Sequence, residues 1–219
     1  MDTATLVIIG LYALVFLLSL TVHEFCHALA AFLQGDDTAQ RAGRLSLNPL
    51  KHLDPIGTAL PILLALAHLP ALGWAKPVPF NPYALKNPRW GSVVVALAGP
   101  ASNLVLCLIC AVSLNIFLPR LSPDNWLILF LTIGALVNSG LAIFNLLPIP
   151  PLDGSRLLSA LLPERYMGIY RWLEIYGTFL LLGLMYFGYS FLGTLLQGSL
   201  CVILRLVGGV VGSVFGCSA

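Results

Sequence analysis

Charged side chains are scarce in this sequence. Asp, Glu, Lys and Arg make up 9% of the 219 residues, where a soluble domain carries roughly 25%. Hydrophobic residues reach 58% and the mean hydropathy is +0.93, so the folded surface cannot be mostly hydrated. A soluble globular protein is excluded. The net charge of +2 rests on too few ions to form a basic patch for nucleic acid. Lys and Arg are absent from the first 40 residues. The apolar N-terminus therefore lacks the basic region of a cleaved signal peptide and is expected to be a retained span. The five cysteines (26, 107, 110, 201 and 217) make no even framework, and on apolar stretches they are expected to pack as small hydrophobes with no disulfide staple. Internal repeats and low-complexity linkers are also missing. A single domain over residues 1–219 is expected, with a core at 6–160 and C-terminal helices at 173–215.

Long apolar runs are what the sequence has. A membrane-spanning helix needs ~20 mainly apolar residues, and four stretches qualify: Leu6–Leu33, Gly91–Leu118, Trp126–Ile149 and Ile175–Leu204. The fold class expected is an all-α polytopic membrane protein with about 4–6 transmembrane helices. The last 45 residues allow one long tilted helix or two short ones. Arg205, between apolar stretches, is expected to snorkel to an interface.

Basic residues collect in loops on the cytoplasmic side. Arg41, Arg44 and Lys51 lie in loop 35–55; Lys76, Lys86 and Arg89 in 75–90; Arg156, Arg165 and Arg171 in 155–172. With these segments inside, nine of the eleven basic residues are cytoplasmic, and the N-terminus and the 119–125 connection lie outside. Both flanks of Ile56–Trp74 then share one side, so this segment is expected to be re-entrant or interfacial, although its length also permits a crossing. The Pro/Gly-rich run that follows, Gly73 to Pro82, cannot be helical and is expected to be extended at the cytoplasmic membrane edge.

The strongest chemical signal is His23-Glu24-Phe25-Cys26-His27 in the first run. Residues i and i+4 share a helix face, so both imidazoles can reach one metal, with Glu24 beside them as a base. Buried polar contacts to neighbouring helices are the bland alternative. Two His and a Glu inside an apolar span are costly, and such residues are functional by default. A catalytic zinc takes three protein ligands and keeps one position for water. Asp153 is the candidate third ligand, because it follows an uncharged run at a rigid break, Pro148-Ile149-Pro150-Pro151-Leu152-Asp153-Gly154. It could instead cap the next helix.

HEFCH in the first span, with Asn145-Leu146-Leu147-Pro148-Ile149-Pro150-Pro151-Leu152-Asp153-Gly154 after a later one, resembles the site-2 protease family of intramembrane zinc metalloproteases. Further matches are Gly43 to Pro55, Gly73 to Pro79 and Gly99-Pro100-Ala101-Ser102-Asn103. The similarity covers roughly residues 6–160 and is to the compact prokaryotic branch without a PDZ or CBS domain. The resemblance implies one Zn2+ per chain held by His23, His27 and Asp153, with Glu24 as catalytic base. It implies cleavage of transmembrane protein or peptide substrates within the lipid bilayer of a prokaryotic plasma membrane, at a site toward the cytoplasmic face. Depth agrees with that expectation: at 1.5 Å per residue Glu24 lies ~15 Å before the helix end near Gln34, about half the ~30 Å hydrocarbon thickness.

Asn103 is either an interhelical hydrogen bond or a substrate-binding group. Asn145 either holds substrate backbone or caps the helix break. His52 and His68 are expected to be structural. A non-proteolytic metal-binding scaffold and a metal transporter are the competing functions. Glu24 argues against a scaffold, and the lack of further ionisable groups along a path argues against a transporter.

Overall fold

The computed structural model describes residues 2–54, 77–209 and 211–217, and all regular structure among them is helical. In chain order the helices are α1 (Thr3–Leu33), α2 (Thr38–Arg41), α3 (Pro88–Phe117), α4 (Trp126–Asn145), α5 (Gly154–Leu161), α6 (Met167–Phe187), α7 (Tyr189–Val207) and α8 (Val211–Val214). Short 3-10 turns form at Pro49–Lys51, Pro82–Ala84 and Glu164–Tyr166. Among the described residues four helices, α1, α3, α4 and α7, are long and apolar enough to cross a membrane. Large apolar side chains such as Ile9 and Phe16 of α1, Ile109 of α3 and Val202 of α7 face outward, as lipid requires and water would penalise. The chain is an all-α polytopic membrane protein.

Local chemistry sets the boundaries. At the end of α1 the Asp36 N–H reaches back to the Ala31 carbonyl at 3.1 Å, and the Gly35 N–H to Phe32 at 3.0 Å. Gly35 takes φ +104° there, the left-handed exit that glycine provides. Pro88 opens α3 and needs no N–H partner. The Asn87 side chain caps it, accepting from the Arg89 and Trp90 N–H groups at 3.2 and 3.1 Å. Asn125 caps α4 through the Leu127 N–H at 2.9 Å.

The structure sets the bounds of two expected spans. Trp126–Ile149 ends at Asn145, because Pro148 disfavours helical backbone in the residue before it. Ile175–Leu204 is divided at Gly188, so the C-terminal region is two helices in sequence with a short third. A Cβ on Gly188 would meet Leu184 Cδ1 at 2.7 Å. The spanning helix is α7, whereas α6 carries Arg171 and Glu174. Segment Ile56–Trp74 lies outside the described residues.

The described residues pack as two compact units, one of residues up to Ser19 together with those from Pro100 on, the other Leu20–Gly99. Both α1 and α3 contribute to each.

In the 20–99 unit a small core joins Ala31, Leu85 and Val95, with Ala30 and Phe80 against it. The expected loop after α1 is an ordered structure built on Asp36, which is 1% exposed. Its carboxylate accepts from Thr38 Oγ1 at 2.5 Å, from the Thr38 N–H at 3.0 Å and from the Asn81 N–H at 2.6 Å. Burial opposes its ionisation, but these hydrogen bonds, helped by the nearby Arg41 charge, hold the carboxyl below its ordinary value of 3.8. Arg44 is buried and donates to the carbonyls of Lys51 and Pro77. His52 donates from Nε2 to the Ser46 carbonyl at 2.7 Å, which is a structural role. Residues 77–80 have no regular structure, in line with prolines at 77 and 79.

In the other unit Cys107, Ala111 and Leu114 of α3 pack with Ile128, Leu131 and Ala135 of α4, Leu200 and Leu204 of α7, and Val211 of α8. Cys107 and Cys110, spaced as CxxC, stay free thiols. Cys201 and Cys217 form a disulfide, which corrects the expectation that no cysteine is bridged. Their 16-residue separation carries no signal; the chain reversal between them does.

Candidate metal centre

His23 and His27 stand one turn apart on α1, 4% and 8% exposed, with Glu24 at 9%. The i, i+4 spacing works as the sequence predicts. The two Nε2 atoms are 2.9 Å apart, and the rings meet edge to face, with centroids 4.5 Å apart and an 86° interplanar angle. His27 Nδ1 lies 2.7 Å from the Val95 carbonyl oxygen. A carbonyl only accepts, so Nδ1 carries the proton and Nε2 of the neutral ring keeps its lone pair. A backbone carbonyl that accepts from the other ring nitrogen is the usual support of a metal-binding histidine.

The helix that supplies Val95 comes close because residue 99 is glycine. A Cβ on Gly99 would meet His23 Cε1 and Nε2 at 2.6 Å and would also meet His27 Nε2. Val95 and Gly99 are i and i+4 on α3, so one stripe of that helix both orients and admits the imidazoles. The donors present fit zinc, which takes imidazole nitrogen and carboxylate oxygen as ligands. Their 2.9 Å separation is within about half an ångström of the ~3.3 Å that two tetrahedral zinc ligands keep.

In the other unit, Asp153 occupies the residue before α5 with φ −59° and ψ −38°, and its side chain makes no capping hydrogen bond. The capping alternative therefore fails. Asn103 is wholly buried in a three-helix polar network. Its Nδ2 donates to Asn138 Oδ1 at 2.8 Å and lies 3.4 Å from the Ser19 carbonyl. Asn138 Nδ2 donates to Ser19 Oγ at 2.9 Å and to the Gly134 carbonyl at 2.9 Å. Asn103 thus makes an interhelical hydrogen bond. Sequence reasoning missed Ser19 and Asn138, although polar residues inside uncharged spans were a usable signal. Asn145 Nδ2 turns back on its own helix to the Leu141 carbonyl at 2.9 Å.

An HExxH pair clasped by the backbone of a second apolar helix defines a membrane-embedded metal-site protein. The profile of peptidase family M50 matches residues 120–182. The chain is 40% identical over 201 residues to YwhC of Bacillus subtilis, covering 89% of both chains. Rip2 of Mycolicibacterium smegmatis is 36% identical over 154 residues, 67% of this chain and 56% of that protein. Rip2 of Mycobacterium tuberculosis is 33% identical over 144 residues, 63% of this chain and 52% of that protein. The match thus spans about half the length of the Rip2 relatives. All three carry provisional names as zinc metalloproteases. No solved structure matches the chain. The chain belongs to peptidase family M50, the site-2 protease family.

Proposed function

We propose that the chain is an intramembrane zinc endopeptidase that hydrolyses peptide bonds in or near transmembrane segments of membrane-protein substrates, in regulated intramembrane proteolysis. His23, His27 and Asp153 hold one zinc and Glu24 is the base. The observation that carries this reading is the pair of Nε2 atoms 2.9 Å apart inside an apolar helix, with His27 Nδ1 committed to Val95. The zinc-metalloprotease names of the relatives support the choice of metal. For Asp153, support comes from a carboxylate set beyond a rigid proline run and not used to cap α5.

The chemistry that zinc supplies in such a site is Lewis acidity toward a peptide carbonyl and toward water. His27 is oriented in advance, so no imidazole has to turn when substrate arrives. The Glu24 carboxylate takes the proton from the attacking water and delivers it to the leaving nitrogen. The apolar walls keep bulk water away, which strengthens each electrostatic interaction inside. A helical substrate must first unwind to present its carbonyl, and the irregular segment 77–80 can receive the freed strand edge. Asn145, just before the proline run, is better placed to meet substrate than the enclosed Asn103. The loop charges support an N-terminus outside and a site toward the cytoplasmic face of a prokaryotic plasma membrane.

The test is the zinc content of the detergent-purified chain. About one zinc per chain is expected, lost in His23→Ala and Asp153→Ala and kept in Glu24→Gln. Zinc retained in Asp153→Ala, or missing from wild type never exposed to chelator, moves the reading to a non-proteolytic scaffold. With zinc kept, Glu24→Gln becomes the trap for substrate capture.

A further inference from the structure

The chain after α7 folds back as a hook. Gly208 and Gly209 turn it with φ +71° and +76°, backbone that glycine adopts without a Cβ clash. Asn115, late in α3, holds both sides of the turn. Its Nδ2 donates to the Gly208 carbonyl at 2.6 Å, and its Oδ1 accepts from the Val211 N–H at 2.9 Å. Gln197 Nε2 donates to the Phe215 carbonyl at 2.7 Å, and the Cys201–Cys217 disulfide closes the loop. Cys217 and Phe215 pack on the cluster made by the second half of α3, the first half of α4 and the end of α7. The hook therefore shares an end with the α3–α4 connection.

That end is poor in basic residues. It carries Arg120 and Arg205, while the other nine lie in the segments that flank the opposite termini of α3 and α4 or follow α1 and α5. Helix α6 passes the basic end at its middle, since its Gly177 is close enough to Pro150 that a Cβ would meet Pro150 Cβ at 3.2 Å. The crossing to the hook is made by α7, which packs along α4.

We propose that the hook lies on the extracytoplasmic face and that Cys201–Cys217 is made there by a thiol–disulfide oxidoreductase. Two independent arguments pick the same end. Disulfides persist outside the cytoplasm and are kept reduced within it, and Lys and Arg collect inside. In the step itself one cysteine thiolate attacks the oxidant's disulfide to form a mixed disulfide, and the other attacks that bond and releases the oxidant's second thiolate. The two cysteines lose two electrons and two protons, and the oxidant leaves as a dithiol. The hook then acts as a fixed outer clasp between α3, α4 and α7. This inference goes beyond the protease reading and does not need it, because the readouts below involve neither zinc nor cleavage.

The test uses the full-length chain in cells. Acid-trapped protein is expected to show Cys201 and Cys217 oxidised. In Cys201→Ser the freed Cys217 is expected to take a membrane-impermeant maleimide in intact cells, above the background of the bridged wild type. Lys86→Cys, on the basic side, is expected to label only after permeabilisation. As a check without cysteine substitution, alkaline phosphatase fused after Ala219 is expected to be active and a fluorescent protein fused there to be dark. Thiols at both positions in trapped cells, label on Cys217 only after permeabilisation, or a bright fluorescent fusion with inactive phosphatase overturns the proposal.

Discussion

His27 donates its Nδ1 proton to the backbone carbonyl of Val95, 2.7 Å away and 68 residues along the chain. One hydrogen bond thus fixes the tautomer and rotation of an imidazole on α1 by the position of α3. No side chain intervenes, so no substitution at Val95 removes the acceptor. What can be changed is the approach of the two helices, and Gly99 controls it.

Gly99→Ala adds a Cβ where the imidazole of His23 stands at 2.6 Å. The methyl must push α3 away or turn the rings, and either change loosens the Val95 bond. Disturbing a partner of this kind weakens metal affinity by about 10–100-fold. Competition titration with a chromogenic chelator measures it. Affinity equal to wild type would mean that the two helices can separate here without cost.

Asp36→Asn tests the anchor after α1. The folded carboxyl titrates below its ordinary value of 3.8, so its stabilising effect is complete above that value and fades as pH falls through the lower folded-state pKa. The amide keeps the shape but loses the ionised acceptor, at a cost of about 1–3 kcal/mol near neutral pH. Thermal unfolding in detergent should show wild type the more stable at pH 7, with the gap closing below pH ~4. A gap that stays constant with pH would mean that Asp36 acts through shape alone.

Asn103→Leu removes the donor to Asn138 Oδ1 inside the membrane-spanning helices. Such interhelical bonds average ~0.6 kcal/mol and reach ~1.7, so a modest drop in unfolding temperature is expected, with zinc content unchanged. In a double-mutant cycle with Asn138→Leu the losses should be less than additive, since the two amides share one bond. Additive losses would separate the residues energetically.

What the sequence made legible was chemistry with local periodicity. HExxH needs only the geometry of one helix, so the facing of His23 and His27 followed from spacing. Three of the four spans followed from apolar length, because a helix in lipid has no other way to satisfy its backbone. Contacts between distant helices were not legible. Nothing near Ser19 or Asn138 indicates that each would meet Asn103, and nothing near Gly99 says that imidazoles occupy its missing Cβ. The division of the last span was hidden for a related reason. Gly188 is one of several glycines in an apolar run, and only its local packing marks it as the break. The disulfide was missed because it depends on the reversal at Gly208 and Gly209, and that reversal depends on Asn115.

Asn115→Leu isolates that dependence. The Leu side chain fills similar space but leaves the Gly208 carbonyl and the Val211 N–H without the bonds they make to Asn115. Losing a partly buried partner of this type costs about 1 kcal/mol, and the cost falls on the hook, far in sequence from HExxH. The variant should keep its zinc. Its Cys201–Cys217 bridge should be reduced faster by dithiothreitol in detergent, because the hook opens more often to admit the reagent. A maleimide gel shift over time reads the rate. If wild type and variant reduce equally fast, the apolar packing of Val211 against Leu200 and Leu204 holds the hook, and Asn115 only shapes the turn.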